Sequence, residues 1–394
     1  MGVRKDFLVF GAPSIGEEEV AEVVACLRSG WIGTGPRVAA FEAAFRRYRQ
    51  AEYAVAVSSC TAALHLSLLA ARLEPGAEVI TTPMTFCATV NAIIHAGLKP
   101  VLADIDPVTQ NIDPAEVEAK ITPRTRAILP VHFAGRPCDM DALMAIAQRR
   151  ELVVIEDCAH APEAHYHGRP LGTFGEFGCF SFYVTKNMTT GEGGMVLART
   201  DAGQARVKML ALHGLSRDAW NRFGDAGYRH YEVVDSGFKY NMTDMQAALG
   251  IHQLKRLEAN WSRRAAIWNR YRAAFEGLPV GLPDAPEPQT RHSHHLFTLL
   301  IDPGRCGLTR DEFLAEMTRY RIGVGVHYVG IPDQPYYREA FGWRPEDYPH
   351  AARVSRQTVS IPLSAGLTDQ DVGDVIDAVQ AVLKNSGSRQ TVSA

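Results

Sequence analysis

Through its first 200 residues the chain alternates two apolar rhythms. Helical stripes recur at Val20, Val23, Val24 and Leu27, and again at Met140, Leu143, Met144 and Ala147, following the i, i+3, i+4, i+7 spacing of one helix face. Between the helices lie apolar runs of strand length, at Tyr53 to Val57, Glu78 to Thr81, Pro100 to Asp104, Arg126 to Val131, Leu152 to Glu156, Gly178 to Phe182 and Met195 to Ala198. Runs that are apolar on both faces and separated by helices predict an α/β domain with a mainly parallel, seven-stranded sheet covered on both sides.

The spacing predicts helix starts at Asp113-Pro114, an N-cap followed by proline, and at Thr243 to Gln246, a capping box. From Asp244 to Phe275 there is no proline, and Leu254, Leu257, Trp261, Trp268 and Phe275 keep a roughly heptad stripe, predicting a long helix that bridges domains or lies along a subunit contact. A proline-rich linker, GLPVGLPDAPEPQ, leads to a predicted strand at His295 to Ile301, a helix from Thr309 to about Tyr320 and a strand near Ile322 to Tyr328. The closing NSGSRQTVSA reads as a frayed tail. Two domains are expected: a large α/β domain over 1–250 and a smaller α+β domain over 251–394.

Composition narrows the classes. Apolar residues make up 46% and charged residues 22%, and the net charge of −3 gives no basic field for nucleic acid or anionic membrane. The seven cysteines form no CxxC pair, as expected of free thiols in a reducing cytoplasm. No run of 18 apolar residues and no secretory leader is present, so a cytoplasmic location without membrane attachment is expected.

The candidate chemistry centres on Lys186, which leaves the apolar run Phe180-Ser181-Phe182 and enters the turn Asn187-Met188-Thr189-Thr190-Gly191-Glu192-Gly193-Gly194. That places its amine at a sheet edge, where open α/β folds bind ligands, and burial there would free it to attack a carbonyl. A lone loop lysine is more often simply solvated. Asp157 stands 29 residues earlier, at the end of its own strand, where a buried carboxylate could keep a pyridine nitrogen protonated; alone, it is equally a turn residue. Glu156 points to the other strand face. Ser58 to Ala62 join a strand to a helix N-terminus, suited to phosphate binding or to plain capping. Ser181 could add a hydrogen bond to that phosphate, and Phe86 could stack on a ring or sit in the core.

The runs SSCTAALHLSL, TTPMTFCATVNAI, VLADIDPVTQNID, VIEDCAHA, FSFYVTKNMTTGEGG and KYNMTDMQAALGIHQL, in this order, resemble the DegT/DnrJ/EryC1/StrS aminotransferases. These are fold-type I enzymes dependent on pyridoxal phosphate that act on nucleotide-linked keto-sugars. The resemblance, running from about Trp31 to Tyr328, implies a Schiff base on Lys186, Asp157 at the pyridine nitrogen, His160 near the phenolic oxygen, Cys60, Thr61 and Ser181 at the phosphate, and Phe86 on the ring. It also implies a homodimer with shared sites, Asn241 reaching the neighbour's phosphate, and substrate contacts from Trp31, Gly33, Thr34, His327 and Tyr328. Cys60 and Cys158 depart from the glycine and alanine common in relatives. The histidines of Arg291-His292-Ser293-His294-His295 lack a completing carboxylate, so no metal is expected.

The implied reaction moves an amino group from glutamate to a nucleotide-linked sugar. The motifs most resemble the surface-polysaccharide and lipid-A branch, implying C4 of a 4-keto-6-deoxyhexose or 4-ketopentose. The alternatives are a 3-keto-sugar or keto-cyclitol aminotransferase of antibiotic biosynthesis, a sugar dehydratase, or a non-catalytic regulatory homologue. Lys186 weighs against dehydration, since the best-known dehydratases carry histidine there.

Overall fold

The computed structural model describes residues 3–216 and 231–390. In chain order these form α1 (Glu17–Ser29), α2 (Pro36–Tyr48), β1 (Tyr53–Val57), α3 (Cys60–Ala70), β2 (Glu78–Thr81), α4 (Cys87–His95), β3 (Lys99–Leu102), α5 (Pro114–Ala119), β4 (Thr125–Leu129), α6 (Met140–Arg150) and β5 (Val153–Asp157). A short hairpin of β6 (His165–Tyr166) and β7 (Arg169–Pro170) precedes β8 (Phe177–Ser181), β9 (Gly194–Ala198), α7 (Asp201–Ala211) and the long α8 (Asp244–Phe275). The C-terminal part holds β10 (Phe297–Leu300), α9 (Pro303–Cys306), α10 (Arg310–Arg319), α11 (Pro335–Phe341), α12 (Pro349–Gln357), β11 (Thr358–Ile361) and α13 (Asp369–Gln390).

The main sheet has seven strands in the order β1-β9-β8-β5-β4-β2-β3, with β9 antiparallel to both of its neighbours and the other pairings parallel. Alternate strand residues feed two cores. Ala54, Ile80, Ile128, Val154 and Phe180 pack toward α2, α6 and α8, while Val55, Val79, Leu129, Ile155 and Cys179 pack toward α3, α4 and α7. The parallel pairing sets Asp157, the last residue of β5, opposite Cys179, with β8 running on to Ser181. A third core joins α8 to β10, β11, α10 and α13 through Trp268, Phe297, Phe313, Val359 and Val375.

Three expectations need correction. No strand forms at 322–328: Ile322 and Gly325 make only isolated bridges, to Leu8 and Ser360, and β10 pairs instead with β11. The apolar stripe of α1 does not pack inward, since Val20, Val24 and Leu27 are exposed. Helix α13 runs through Gln390, so the part of the expected frayed tail up to Gln390 is helical; 391–394 lie outside the described residues.

Candidate active site

The turn after β8 and the strand end of β5 bring Lys186 and Asp157 to one edge of the sheet. Lys186 N donates to Tyr183 O at 2.9 Å, closing a tight turn that directs the half-buried lysine inward. Burial pushes its ammonium down to about 8, against an upward pull from Cys60 and Asp157. Asp157 is buried, and burial raises its carboxyl despite hydrogen bonds from Ala159 N at 3.1 Å and Thr89 Oγ1 at 2.9 Å. Glu156 faces the opposite way: its two oxygens accept from the N–H groups of Gly172, Phe174 and Gly175.

His160 completes the floor. Its Nδ1 accepts from Ala134 N at 3.2 Å, so the ring proton sits on Nε2 and is given to the Tyr328 hydroxyl at 3.0 Å. The imidazole is held neutral, its pKa far below the ordinary value through burial and then the neighbouring Lys186, His295 and His327. Phe86 is 58% exposed and leans on Tyr328 with ring centroids 6.1 Å apart, which excludes the core reading. His327 stacks on Phe10 and meets Ser360 Oγ at 2.8 Å; burial, with Lys186 beside it, pushes it down to about 4.

At the other end, Ser59 caps α3 by accepting from Ala62 N, and Cys60 and Thr61 hold the first two positions, whose N–H groups have no acceptor within a helix. A side chain at Gly194 would strike this turn, its Cβ 2.5 Å from the Ser59 carbonyl carbon, so only glycine lets β9 lie so close. Ser181 ends β8 nearby, its Oγ accepting weakly from Tyr183 N at 3.4 Å. A helix start with free N–H groups, an amine of lowered basicity and a buried carboxylate suit the phosphate, aldehyde and ring nitrogen of pyridoxal phosphate.

The remaining candidates cluster on the far side of the β1–α3 turn, where Asn241 bridges Val57 and Ser58 N donates to Tyr240 O. Asn241 Nδ2 donates to Thr34 Oγ1 at 2.6 Å, Gly33 O accepts from Asp244 N, and the Trp31 indole donates to Thr34 O while lying against Gly35. None of them lines the small cavity of about 50 Å³ beside Lys186, which is formed by Phe10 to Ser14, His295, His327 and the 363–366 turn. The Asn241 Oδ1 is buried with no partner among the described residues.

Residues 13–380 match the DegT/DnrJ/EryC1/StrS aminotransferase family. The chain belongs to that family. It is 46% identical over 384 residues to the spore coat polysaccharide biosynthesis protein SpsC of Bacillus subtilis, covering 97% of this chain and 99% of SpsC. Among solved structures it is similar to Spr1654 of Streptococcus pneumoniae, assigned as a sugar aminotransferase, in its apo form (TM-score 0.90, 31% identity, 98% and 99% of the two chains) and in PMP and PLP forms. It also resembles Helicobacter pylori PseC, an aminotransferase of pseudoaminic acid biosynthesis, with TM-score 0.89 and 26% identity over 96% of this chain and all of that one. The protein is a pyridoxal-phosphate-dependent sugar aminotransferase of fold-type I.

Sequence reasoning missed several residues of the site. Thr89, which holds Asp157, and Asn187 and His295, which flank Lys186, gave no periodic or spacing signal because each acts through a contact distant in the chain. Among the described residues no helix is long and apolar enough to cross a membrane.

Proposed function

We propose that this aminotransferase transfers the amino group of L-glutamate to C4 of a nucleotide-linked 4-keto-6-deoxyhexose or 4-ketopentose, with Lys186 as covalent anchor and proton carrier. The observation that carries the reading is the meeting of Lys186, Asp157 and His160 at one sheet edge, beside the α3 start. Similarity to SpsC, named for polysaccharide biosynthesis, supports a nucleotide-activated sugar destined for a polymer.

When bound, pyridoxal phosphate supplies an aldehyde carbon that joins amines and a ring that delocalises the electrons released from Cα. The N–H groups of Cys60 and Thr61, with Ser181, would hold its phosphate, Phe86 would cover its ring and His160 would face its phenolic oxygen. The buried Asp157 carboxylate calls for a cationic partner, which a protonated pyridine nitrogen is. With a pKa near 8, Lys186 has an appreciable neutral fraction at physiological pH. Its amine takes the proton from the α-carbon of glutamate, and water supplies the keto oxygen of the departing 2-oxoglutarate while the nitrogen is retained in the site. In the second half-reaction the same amine delivers a proton to the sugar carbon that gains that nitrogen, as the sugar's keto oxygen leaves as water.

Trp31, Gly33, Thr34 and Asn241 gather away from Lys186, and the exposed Val20, Val24 and Leu27 stripe gives a second copy an apolar face to cover. A homodimer that completes each site with these residues accounts for both features, with His327 and Tyr328 on the substrate side of the lysine. We place the enzyme in the cytoplasm, where nucleotide sugars and reduced cysteines occur.

Borohydride trapping with peptide mapping tests the anchor, and a panel of keto-sugar nucleotides with glutamate tests the substrate. Cofactor trapped away from Lys186 would refute the first part. Product only from 3-keto sugars or keto-cyclitols would refute the second.

A further inference from the structure

Resting on the reading of Lys186 as anchor, we infer that Asn187 is a positioning residue for that lysine, its amide clamped by Glu163 and His295, with Arg264 of the long helix α8 fixing Glu163 in turn. All four groups lie at or next to the lysine turn, and the chain of contacts is continuous. Asn187 Nδ2 donates to Glu163 Oε2 at 2.8 Å and to Ser293 O at 3.1 Å, and Asn187 Oδ1 pairs with His295 Nδ1 at 2.9 Å. The other Glu163 oxygen accepts from Arg264 Nη2. Glu163, Arg264 and His295 are all buried.

The clamp has only one sense. A carboxylate cannot donate, so the Asn187 amide must turn its N–H groups to Glu163 and its oxygen to His295, which obliges His295 to carry its proton on Nδ1. That leaves His295 Nε2 as a lone pair, and the same imidazole lies on the His160 ring with centroids 4.3 Å apart. Both N–H groups and the oxygen of the Asn187 amide are thereby engaged, and the residue cannot rotate without stranding a buried group. The Lys186 backbone is then pinned on both sides: by its own N–H to Tyr183 O, and through the side chain of its neighbour. A lysine stem is flexible, so the direction its amine takes depends on the backbone that launches it.

A separate role for a buried Glu–Arg pair in holding the small C-terminal part against the sheet would affect stability alone. Lys186 chemistry separates the two. Cofactor-free wild type, Asn187→Ala and Asn187→Ser are treated with formaldehyde and cyanoborohydride across pH, and methylation at Lys186 is followed by peptide mass spectrometry. The groups acting on that amine are Cys60 and Asp157, with His160, His295 and His327 around it. In wild type the midpoint falls near 8. In both variants it moves by about one pH unit toward an ordinary lysine, capture of pyridoxal phosphate slows roughly tenfold, and kcat falls by a similar factor while KM for the sugar changes less than about twofold.

Variants that melt earlier yet keep the wild-type midpoint and capture rate overturn the inference and leave a purely structural clamp. Should Asn187→Ala fail to fold, Asn187→Ser is read by the same criterion, since its hydroxyl cannot bridge Glu163 and His295. If borohydride fixes the cofactor of the wild type on another lysine, the anchor reading fails instead; if on Lys186 with the variants unchanged, only the clamp does.

Discussion

Thr89 Oγ1 donates to Asp157 Oδ2 at 2.9 Å, and Thr85 Oγ1 stands 2.8 Å from Thr89 Oγ1, so a file of hydroxyls runs from the start of α4 to the carboxylate at the end of β5. The donation opposes the desolvation that pushes the Asp157 carboxyl up, while Ala159 N donates to the other oxygen. Thr89→Val keeps the volume and removes the donor. The expected result is pyridoxal phosphate bound about tenfold more weakly, the size of one hydrogen bond to a charged group. Affinity should also fail at a higher pH than in wild type as the solution is acidified, because the carboxyl loses one of the contacts that favour its ionised form. Spectrophotometric titration of the cofactor at several pH values measures both.

Lys186 makes the cofactor-free protein sensitive to alkali in an unusual sense. Its pKa is near 8 in the fold and 10.5 when exposed, so below pH 8 both states carry the charge and the fold bears the full desolvation cost. Between 8 and 10.5 the folded state sheds the proton first, and this contribution to stability rises with pH. Lys186→Met removes the cost. The cofactor-free variant should exceed wild type by about 3 kcal/mol at pH 7, from the 1.36 kcal/mol that each pKa unit represents, and the advantage should vanish by about pH 10.5. Urea unfolding at stepped pH gives the comparison, and an advantage that does not shrink with alkali would contradict it.

The expected fold was legible where periodicity alone decides. Strand runs buried on both faces, such as Val153 to Asp157 and Phe177 to Ser181, have no other stable use than a covered parallel sheet, and their parallel pairing brought Asp157 and the Lys186 turn together. Helix α8 was readable from its capping box and stripe. Less legible was whatever depends on distant partners. Ile322 to Tyr328 has strand composition, yet Thr358 to Ile361 wins the place beside β10. Val20, Val24 and Leu27 have the pattern of a buried face but look outward, since periodicity reports that a face is apolar and not what covers it. Glu163 and Arg264, 101 residues apart, could not be paired by any local rule.

Asp244 joins two helices at their starts. It is fully buried, and its carboxylate accepts from Gly35 N at 2.8 Å, Val38 N at 2.9 Å and Arg37 N at 3.1 Å, so the first residue of α8 caps α2. Asp244→Ala strands these donors and should cost roughly 3 kcal/mol. Since Thr34 and Asn241 flank the same junction, the variant should also loosen any dimer built on it, lowering the mass seen by sedimentation at micromolar protein.

Adjacent carboxylates at the end of β5 offer the sharpest contrast. Glu156 accepts from three backbone N–H groups and from His132 Nε2, whose tautomer is set by Cys138 N donating to His132 Nδ1. An amide there must turn a donor toward other donors, so Glu156→Gln should lose about 2 kcal/mol or more of stability. Its remaining folded fraction should turn over normally, because the group faces away from Lys186. Asp157→Asn should do the reverse. Burial raises the Asp157 carboxyl, so its stabilising contribution is present at low pH and lost as pH rises through the folded pKa. The neutral amide avoids that loss, and the cofactor-free variant should be at least as stable as wild type at pH 7. Catalysis then suffers, since an amide gives a pyridinium no counter-charge, and kcat should drop by about 100-fold or more. Unfolding curves and turnover measured on both variants decide the matter: equal damage to stability by both substitutions would mean that the two side chains do not divide the work between scaffold and cofactor.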